Sequence, residues 1–240
     1  MGKIHISDGI EYEEWADGLV VKGFANAFDR RTKLSIPAFI DKDDAPNLST
    51  PYRRVNRIEE QAFQGESHLE CVELPETLVS IGSEAFNSCV NLREVLTFGR
   101  RPIRTYYHNT SIHIFRGAFR NCKKLKQVFL NREKCWINID AFANCTQLET
   151  FVGKICEVKK GAFENCNIES LTFDEYSDIH DNSIEKSGAR ELFFIGGDCY
   201  ITQKVLNWMK KSQLVIHCEK HSQLADFAYE GINISIMEEP

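Results

Sequence analysis

Three side chains near the end of the chain are of types that bind metal ions: His217, Cys218 and His221. Cys218 and His221 could reach one ion only if a tight turn joined them, and no fourth ligand is evident nearby. The nine cysteines include no C-x-x-C pair, so a zinc site or a thioredoxin-like redox motif has no support. We therefore expect no metal site.

A catalytic site would require a nucleophile held beside a base and an orienting group. The sequence contains no G-x-S-x-G or comparable motif. The run Gly196-Gly197-Asp198 lacks the glycine spacing and the following basic residue of a phosphate-binding loop, so it is interpreted as a turn. We expect a protein that is not an enzyme and that uses no cofactor.

The stretch 99–111, G-R-R-P-I-R-T-Y-Y-H-N-T-S, has the composition of a binding surface. Arginine and tyrosine are enriched at interface hot spots. The candidate partner-binding residues are Arg100, Arg101, Arg104, Tyr106 and Tyr107. Their charge and aromatic rings could also hold an anionic ligand or single-stranded nucleic acid. A solvated loop or an extra hairpin is the alternative.

These residues lie within an array of internal repeats. An Ala-Phe pair recurs at regular spacing in five copies, and two weaker copies with other residues follow it. The seven copies are Ala62-Phe63, Ala85-Phe86, Ala118-Phe119, Ala141-Phe142, Ala162-Phe163, Ser183-Ile184 and Val205-Leu206. The steps between them are 23, 33, 23, 21, 21 and 22 residues, so one step carries an insertion, at 99–111. A period in the low twenties with a short strand in each copy is typical of a leucine-rich-repeat solenoid.

Two runs carry a closer resemblance. I-G-S-E-A-F-N-S-C-V-N-L (81–92) and L-E-C-V-E-L-P-E-T-L (69–78) resemble the BspA-like class of leucine-rich repeats, roughly I-G-x-x-A-F-x-x-C-x-x-L-x-x-V-x-L-P. The resemblance implies a repeat solenoid of the α/β class: a curved, right-handed array with a parallel β-sheet and short helical or turn segments, capped at both ends. It also implies a binding scaffold, many of whose relatives are surface-exposed or secreted.

Three regions are expected along the chain. Residues 1–57 form an N-terminal cap, with short strands predicted at 19–24 and 33–36. Residues 58–218 form the repeats, and residues 219–240 resemble the closing helix and strand of such arrays. Four cysteines share the position three residues after the Phe, which indicates buried thiols rather than a disulfide framework. They are Cys89, Cys122, Cys145 and Cys166.

One outward row of the predicted strands is unusually apolar. If Leu69, Val72 and Leu74 point inward, the residues on either side of the Val point outward. The row after it reads Glu73, Leu96, Phe129, Val152, Thr172, Phe193 and Val215, and a mostly polar row beginning at Cys71 borders it. We take Leu96, Phe129, Val152 and Phe193 as candidate partner-binding residues, because contiguous exposed apolar surface marks interaction sites. A register error by one residue, or an insertion folded over the row, would give the same pattern.

Charge and hydropathy exclude several partners. With 35 acidic and 29 basic residues the net charge is −6, so neither nucleic-acid binding nor membrane insertion is expected. The first residues lack an apolar signal core, which predicts a cytoplasmic protein if the chain is full length and a secreted or cell-surface protein if a signal peptide has been removed. We expect a non-catalytic module that binds a protein or glycoconjugate surface; the alternative is a structural protein that forms homo-oligomers.

Overall fold

The computed structural model describes residues 2–41, 43, 49, 52–98, 111–130, 132, 134–196, 199–220, 222, 224–225 and 231–237. Within them the chain forms short strands and one helix, α1 (Gln203–Lys211). The strands are β1 (Lys3–Ser7), β2 (Ile10–Trp15), β3 (Gly18–Phe24), β4 (Lys33–Ser35), β5 (Phe39–Asp41), β6 (Tyr52–Ile58), β7 (Cys71–Pro75), β8 (Ser80–Ile81), β9 (Glu94–Phe98), β10 (Ser111–Ile114), β11 (Gln127–Phe129), β12 (Lys134–Ile137), β13 (Thr150–Val152), β14 (Lys154–Val158), β15 (Ser170–Ile179), β16 (Glu191–Phe194), β17 (Cys199–Ile201), β18 (Val215–Glu219) and β19 (Ile234–Met237).

The strands form two sheets. The short sheet has the order β13-β11-β9-β7-β4 and is parallel throughout. The long sheet has the order β1-β2-β3-β6-β8-β10-β12-β14-β15-β16-β18-β19, with β17 beside β15 and β5 beside β6. Its first three strands are antiparallel, and β3 pairs in parallel with β6. Each regular repeat thus gives one strand to each sheet, whereas the sequence pattern predicted only one strand per repeat.

The Ala-Phe pairs lie in turns that form the third side of each repeat. The backbone N–H of Phe119 donates to the carbonyl of Ala141 in the next repeat at 2.8 Å, and that of Phe142 donates to Ala162 at the same distance. Phe63 and Phe86 make the equivalent bonds, which satisfy turn backbone that would otherwise lack partners. The turns are therefore stacked like strands of a sheet.

An asparagine ladder runs along these turns. Asn121, Asn144 and Asn165 precede the repeat cysteines and have φ values of 62°, 63° and 59°, in the left-handed region that Asn tolerates better than most residues. The Asn165 amide nitrogen donates to Asn144 Oδ1 at 2.8 Å, and that of Asn144 donates to Asn121 Oδ1 at 3.1 Å. The same residue type thus fits the turn and joins it to its neighbour.

The core is a stack of equivalent side chains. The rings of Phe63, Phe86, Phe119, Phe142 and Phe163 are buried, with 5.2 to 5.4 Å between successive centroids and interplanar angles of 13° or less. Edge-to-face contacts with Phe24 and Phe151 complete the stack. A repeat cannot bury its Phe against itself, so each one depends on its neighbours.

The repeat cysteines form a second ladder beside the rings. The thiol of Cys145 donates to the carbonyl of Phe119 at 3.0 Å, and Cys89, Cys122 and Cys166 donate to the Phe carbonyl of the preceding repeat in the same way. None of the nine cysteines, all of which lie within the described residues, forms a disulfide. Burial raises the pKa of the Cys145 thiol well above its usual value and that of Cys166 to about 12. These cysteines are structural thiols, as the sequence predicted.

The regular pattern ends after β13. In the following repeat the strand at the position equivalent to β13 is β15, which belongs to the long sheet, where Thr172 and Phe173 pair with Lys154 and Ile155 of β14. In the last repeat α1 takes the place of an Ala-Phe turn. Thr202 caps it by accepting a hydrogen bond from the Val205 N–H, and Val205, Leu206 and Met209 are buried.

Candidate functional site

Three of the predicted partner-binding residues lie side by side on the outer face of the short sheet. Strand pairing aligns Leu96 with Phe129, and Phe129 with Val152. Phe129 is 37% exposed and Val152 45% exposed, while Leu96 is half-buried. The inward residues between them, Val95 and Val128, are fully buried. Inward and outward side chains therefore alternate along these strands in the register that the sequence predicted.

A fourth apolar side chain extends this surface. Phe98 is two residues beyond Leu96 on β9, and therefore on the same face, and it is 55% exposed. We call Leu96, Phe98, Phe129 and Val152 the apolar patch. Phe98 was not predicted from the sequence, although its spacing of two residues from Leu96 was a usable signal.

Polar side chains border the apolar patch. Glu94, Gln127 and Thr150 are aligned by the same pairing and are half-buried. The Gln127 amide nitrogen donates to Glu94 Oε1 at 2.5 Å, and Lys33 forms an ion pair with Glu73 at the start of the face. An apolar centre with a polar rim is the usual composition of a protein interface.

A cleft of about 320 Å³ opens beside Val152, where the short sheet ends. Val152, Leu130 and Ile195 supply apolar walls. The charged lining is mixed, with two basic and two acidic residues: Arg132, Lys154, Glu149 and Glu169. Burial lowers the pKa of Arg132, whose Nη2 donates to the carbonyls of Pro75 and Leu78 at 3.1 Å. The apolar patch thus continues into a concave feature.

The fourth predicted residue of the apolar row, Phe193, lies apart from the patch. It is on β16 in the long sheet, beyond the point where the short sheet ends, and its ring stacks on His217 with 4.3 Å between centroids. Its partner on β18 is His217, whereas Val215 pairs with Glu191. The predicted place of Val215 in the row was therefore wrong by two residues, because the segment containing α1 is two residues longer than the repeat spacing implies.

The predicted residues of the insertion lie outside the described residues: Arg100, Arg101, Arg104, Tyr106 and Tyr107. Residues 99–110 connect Phe98 of the apolar patch to Ser111, the first residue of β10.

The candidate metal ligands near residue 217 do not form one site. Cys218 is fully buried in the core, and His217 is on the opposite side of β18 against Phe193. His221 lies outside the described residues. Another group, Glu157, Asp178 and His180, does bring donor atoms together; these residues are separated in sequence, and no spacing motif marked them.

No helix within the described ranges combines the length and the apolar character that a membrane span requires.

Comparison with known proteins gives a family match and several similar folds. The model of the BspA type leucine-rich repeat region matches six copies, within residues 32–152 and 104–191. A comparison with curated proteins finds no significant match.

Among solved structures, the chain is similar to a leucine-rich repeat protein of T. pallidum, with 15% identity, 99% of this chain and 100% of that chain covered, and a TM-score of 0.52. A leucine-rich repeat protein from Bacteroides capillosus is 22% identical over 63% of this chain and 99% of its own, with a TM-score of 0.46. A leucine rich cell surface protein from Faecalibacterium prausnitzii is 15% identical over 93% of this chain and 56% of its own, with a TM-score of 0.49. At these identities, the similarity to the T. pallidum protein concerns the fold alone.

Proposed function

The chain belongs to the BspA-type leucine-rich-repeat family, and from this premise we propose that it is a non-catalytic module that binds an extended segment of another protein on the short sheet. Repeats of this family are associated with protein interaction or surface recognition. Repeat arrays suit this role because neighbouring repeats present side chains in register along one continuous surface.

The alignment of exposed apolar side chains carries the proposal. The outer face of a sheet can be polar, and in β4 and β7, the two strands before Leu96, the same row holds Ser35 and Glu73. From Leu96 to Val152 the row is apolar instead, and both Phe129 in the row and Phe98 next to it have exposed rings. Exposure of these rings has a solvation cost that a partner would remove.

The cleft supplies an anchor point for the partner. Tightly bound side chains at protein interfaces usually occupy pockets next to an apolar centre. Val152 belongs to both the apolar patch and the cleft wall, so a segment lying across Phe129 would reach the cleft with its next side chain. We expect that side chain to be apolar, because Leu130, Val152 and Ile195 line the cleft, while its two basic residues are balanced by Glu149 and Glu169.

The insertion supplies further candidate contact residues. Three arginines and two tyrosines follow Phe98 within nine residues. These residue types are common at hot spots, and we include them in the proposal because they follow a residue of the apolar patch in the sequence. Family members are often surface-exposed or secreted, so partners of this kind include proteins and glycoconjugates of cell surfaces.

Self-association is the second candidate. Its support is an exposed edge strand: β1 pairs with β2 on one side, and its Ile4 and Ile6 are 49% and 58% exposed. Exposed apolar edge strands can pair with a second copy. The proposed protein-binding function would leave the array monomeric in the absence of its partner.

The test compares wild type with Phe129→Glu and with Phe28→Glu, which changes an exposed phenylalanine between β3 and β4 that is not part of the apolar patch. Peptides are first selected on wild type from a displayed random library, and their affinities for the three proteins are then measured by calorimetry. We expect Phe129→Glu to weaken binding by at least about tenfold, as for a hot-spot residue, and Phe28→Glu to leave it unchanged.

Light scattering over a concentration series separates the two candidates. A wild-type dimer that persists in Phe129→Glu would support self-association through β1. A dimer that Phe129→Glu abolishes would replace the proposal with self-association through the short sheet. Selected peptides that bind all three proteins equally, or no selectable peptide at all, would remove the short sheet as a binding surface.

A further inference from the structure

Three potential metal ligands converge on the long sheet, away from the apolar patch. Glu157 is on β14, Asp178 is beside it on β15, and His180 follows two residues later on the same face. One donor atom from each lies within 4.8 Å of the others. The three side chains are 26%, 41% and 43% exposed, so an ion from solvent could reach them.

The distances between donor atoms suit a bound ion. His180 Nε2 is 3.4 Å from Glu157 Oε1 and 3.4 Å from Asp178 Oδ2. Two ligands at about 2.1 Å from an ion in tetrahedral geometry are separated by about 3.4 Å. We propose that Glu157, Asp178 and His180 bind a divalent first-row transition-metal ion, of the Mn²⁺, Fe²⁺ or Zn²⁺ class that combines carboxylate and imidazole ligands.

The histidine distinguishes this group from a cluster of carboxylates alone. His180 Nε2 makes no hydrogen bond of good geometry in the structure, and a carboxylate oxygen lies 3.4 Å from it on either side. His217 Nε2 also lacks a hydrogen bond but faces one carboxylate, so the pair of carboxylates is what sets His180 apart. A metal ion between the three groups would accept the nitrogen lone pair and neutralise both carboxylates.

The surroundings leave the donor atoms available. Lys159 approaches the other oxygen of Glu157, Oε2, at 3.5 Å, which leaves Oε1 directed at His180. In the next strand the neighbour of Glu157 is Trp136, and on the far side Asp178 is beside Tyr200. These aromatic neighbours add no competing charge.

A register shift creates the arrangement. Between the pairs Ile155–Phe173 and Glu157–Asp178, β14 has one intervening residue and β15 has four. The three excess residues of β15 form a bulge around the exposed Tyr176, and as a result Asp178 rather than Glu175 lies beside Glu157. Such bulges commonly re-aim side chains.

Manganese is the best probe, because the nine thiols of this chain would compete for zinc and bind Mn²⁺ poorly. Free Mn²⁺ is measured by electron paramagnetic resonance during titration of wild type, His180→Ala, Asp178→Asn and His217→Ala. His217 is the matched control, because its Nε2 lies 3.5 Å from a single carboxylate, Glu191. Circular dichroism verifies that each variant is folded.

We expect one Mn²⁺ per wild-type chain and a loss of affinity of at least about tenfold in His180→Ala and in Asp178→Asn. His217→Ala should bind as wild type does. The proposal is wrong if wild type binds no Mn²⁺ at concentrations up to about 1 mM, the weak end of protein sites for divalent ions. It is equally wrong if His180→Ala and Asp178→Asn bind as wild type does, or if all three variants lose binding equally. Because the site is on the long sheet, none of these results bears on the binding of peptides at Phe129.

Discussion

The interior and the outer face of the same repeats are built from the same residue types under different constraints. Inside, Phe119 and Phe142 stack at 5.2 Å and are fully buried. Outside, Phe129 and Val152 occupy equally regular positions on paired strands but remain 37% and 45% exposed. Inner residues must pack against the equivalent residues of the neighbouring repeats, whereas outer residues need not. A repeat can therefore change its outer face without losing its fold.

Substitution in the Phe stack should have the largest effect on stability. Phe142 contacts Phe119, Phe151 and Phe163, so Phe142→Ala leaves a cavity that three rings surround. We expect the free energy of unfolding to fall by about 3–5 kcal/mol. Urea denaturation measures it, with the exposed Phe28→Ala as the control. An unchanged midpoint would contradict the role of the stack.

Substitution in the asparagine ladder should have an intermediate effect. Asn144→Ala places a residue that disfavours a φ of 63° in the turn and removes two amide hydrogen bonds. We expect a loss of about 2 kcal/mol. Asn144→Gly also removes the hydrogen bonds but tolerates the backbone, so it should cost about 1 kcal/mol less. Equal losses in both variants would show that the φ value contributes nothing.

Substitution on the outer face should have the smallest effect. Phe129→Glu should change the free energy of unfolding by less than about 1 kcal/mol, because the side chain is already partly solvated and the strand register depends on Val128. Thermal unfolding followed by circular dichroism measures it. If this variant unfolded as easily as Phe142→Ala, the inner and outer faces would not differ as described.

The sequence predicted those features that each repeat encodes for itself. The Ala-Phe spacing identified the stack, the repeated cysteines identified buried thiols, and the position after the inward Val identified Leu96, Phe129 and Val152. Hydrophobic positions recur because every neighbour imposes the same packing. A fold in which every repeat makes the same contacts can therefore be predicted from its sequence.

Features that depend on two distant segments were not predictable. The second strand of each repeat is as short as Ser80–Ile81, too short for an alternating pattern to be recognised. The end of the short sheet, and with it the cleft, follows from β15 pairing with β14 rather than with β13. His180 acquires its neighbours only through the register shift in β15. The position of His217 opposite Phe193 depends on the length of the segment that contains α1.

The stacked turns also bear on how such a chain can change over evolutionary time. Each turn hydrogen-bonds to the turns before and after it, with the same backbone pairing from Phe63 to Phe142. Removal of residues 119–141, one 23-residue step, would join Ala118 to Phe142 and place that ring beside Phe86 in an equivalent position. Gene duplication or deletion could therefore lengthen or shorten the array by whole repeats before β13 without redesigning any contact. Beyond that strand no such exchange is available, because no two repeats there are alike.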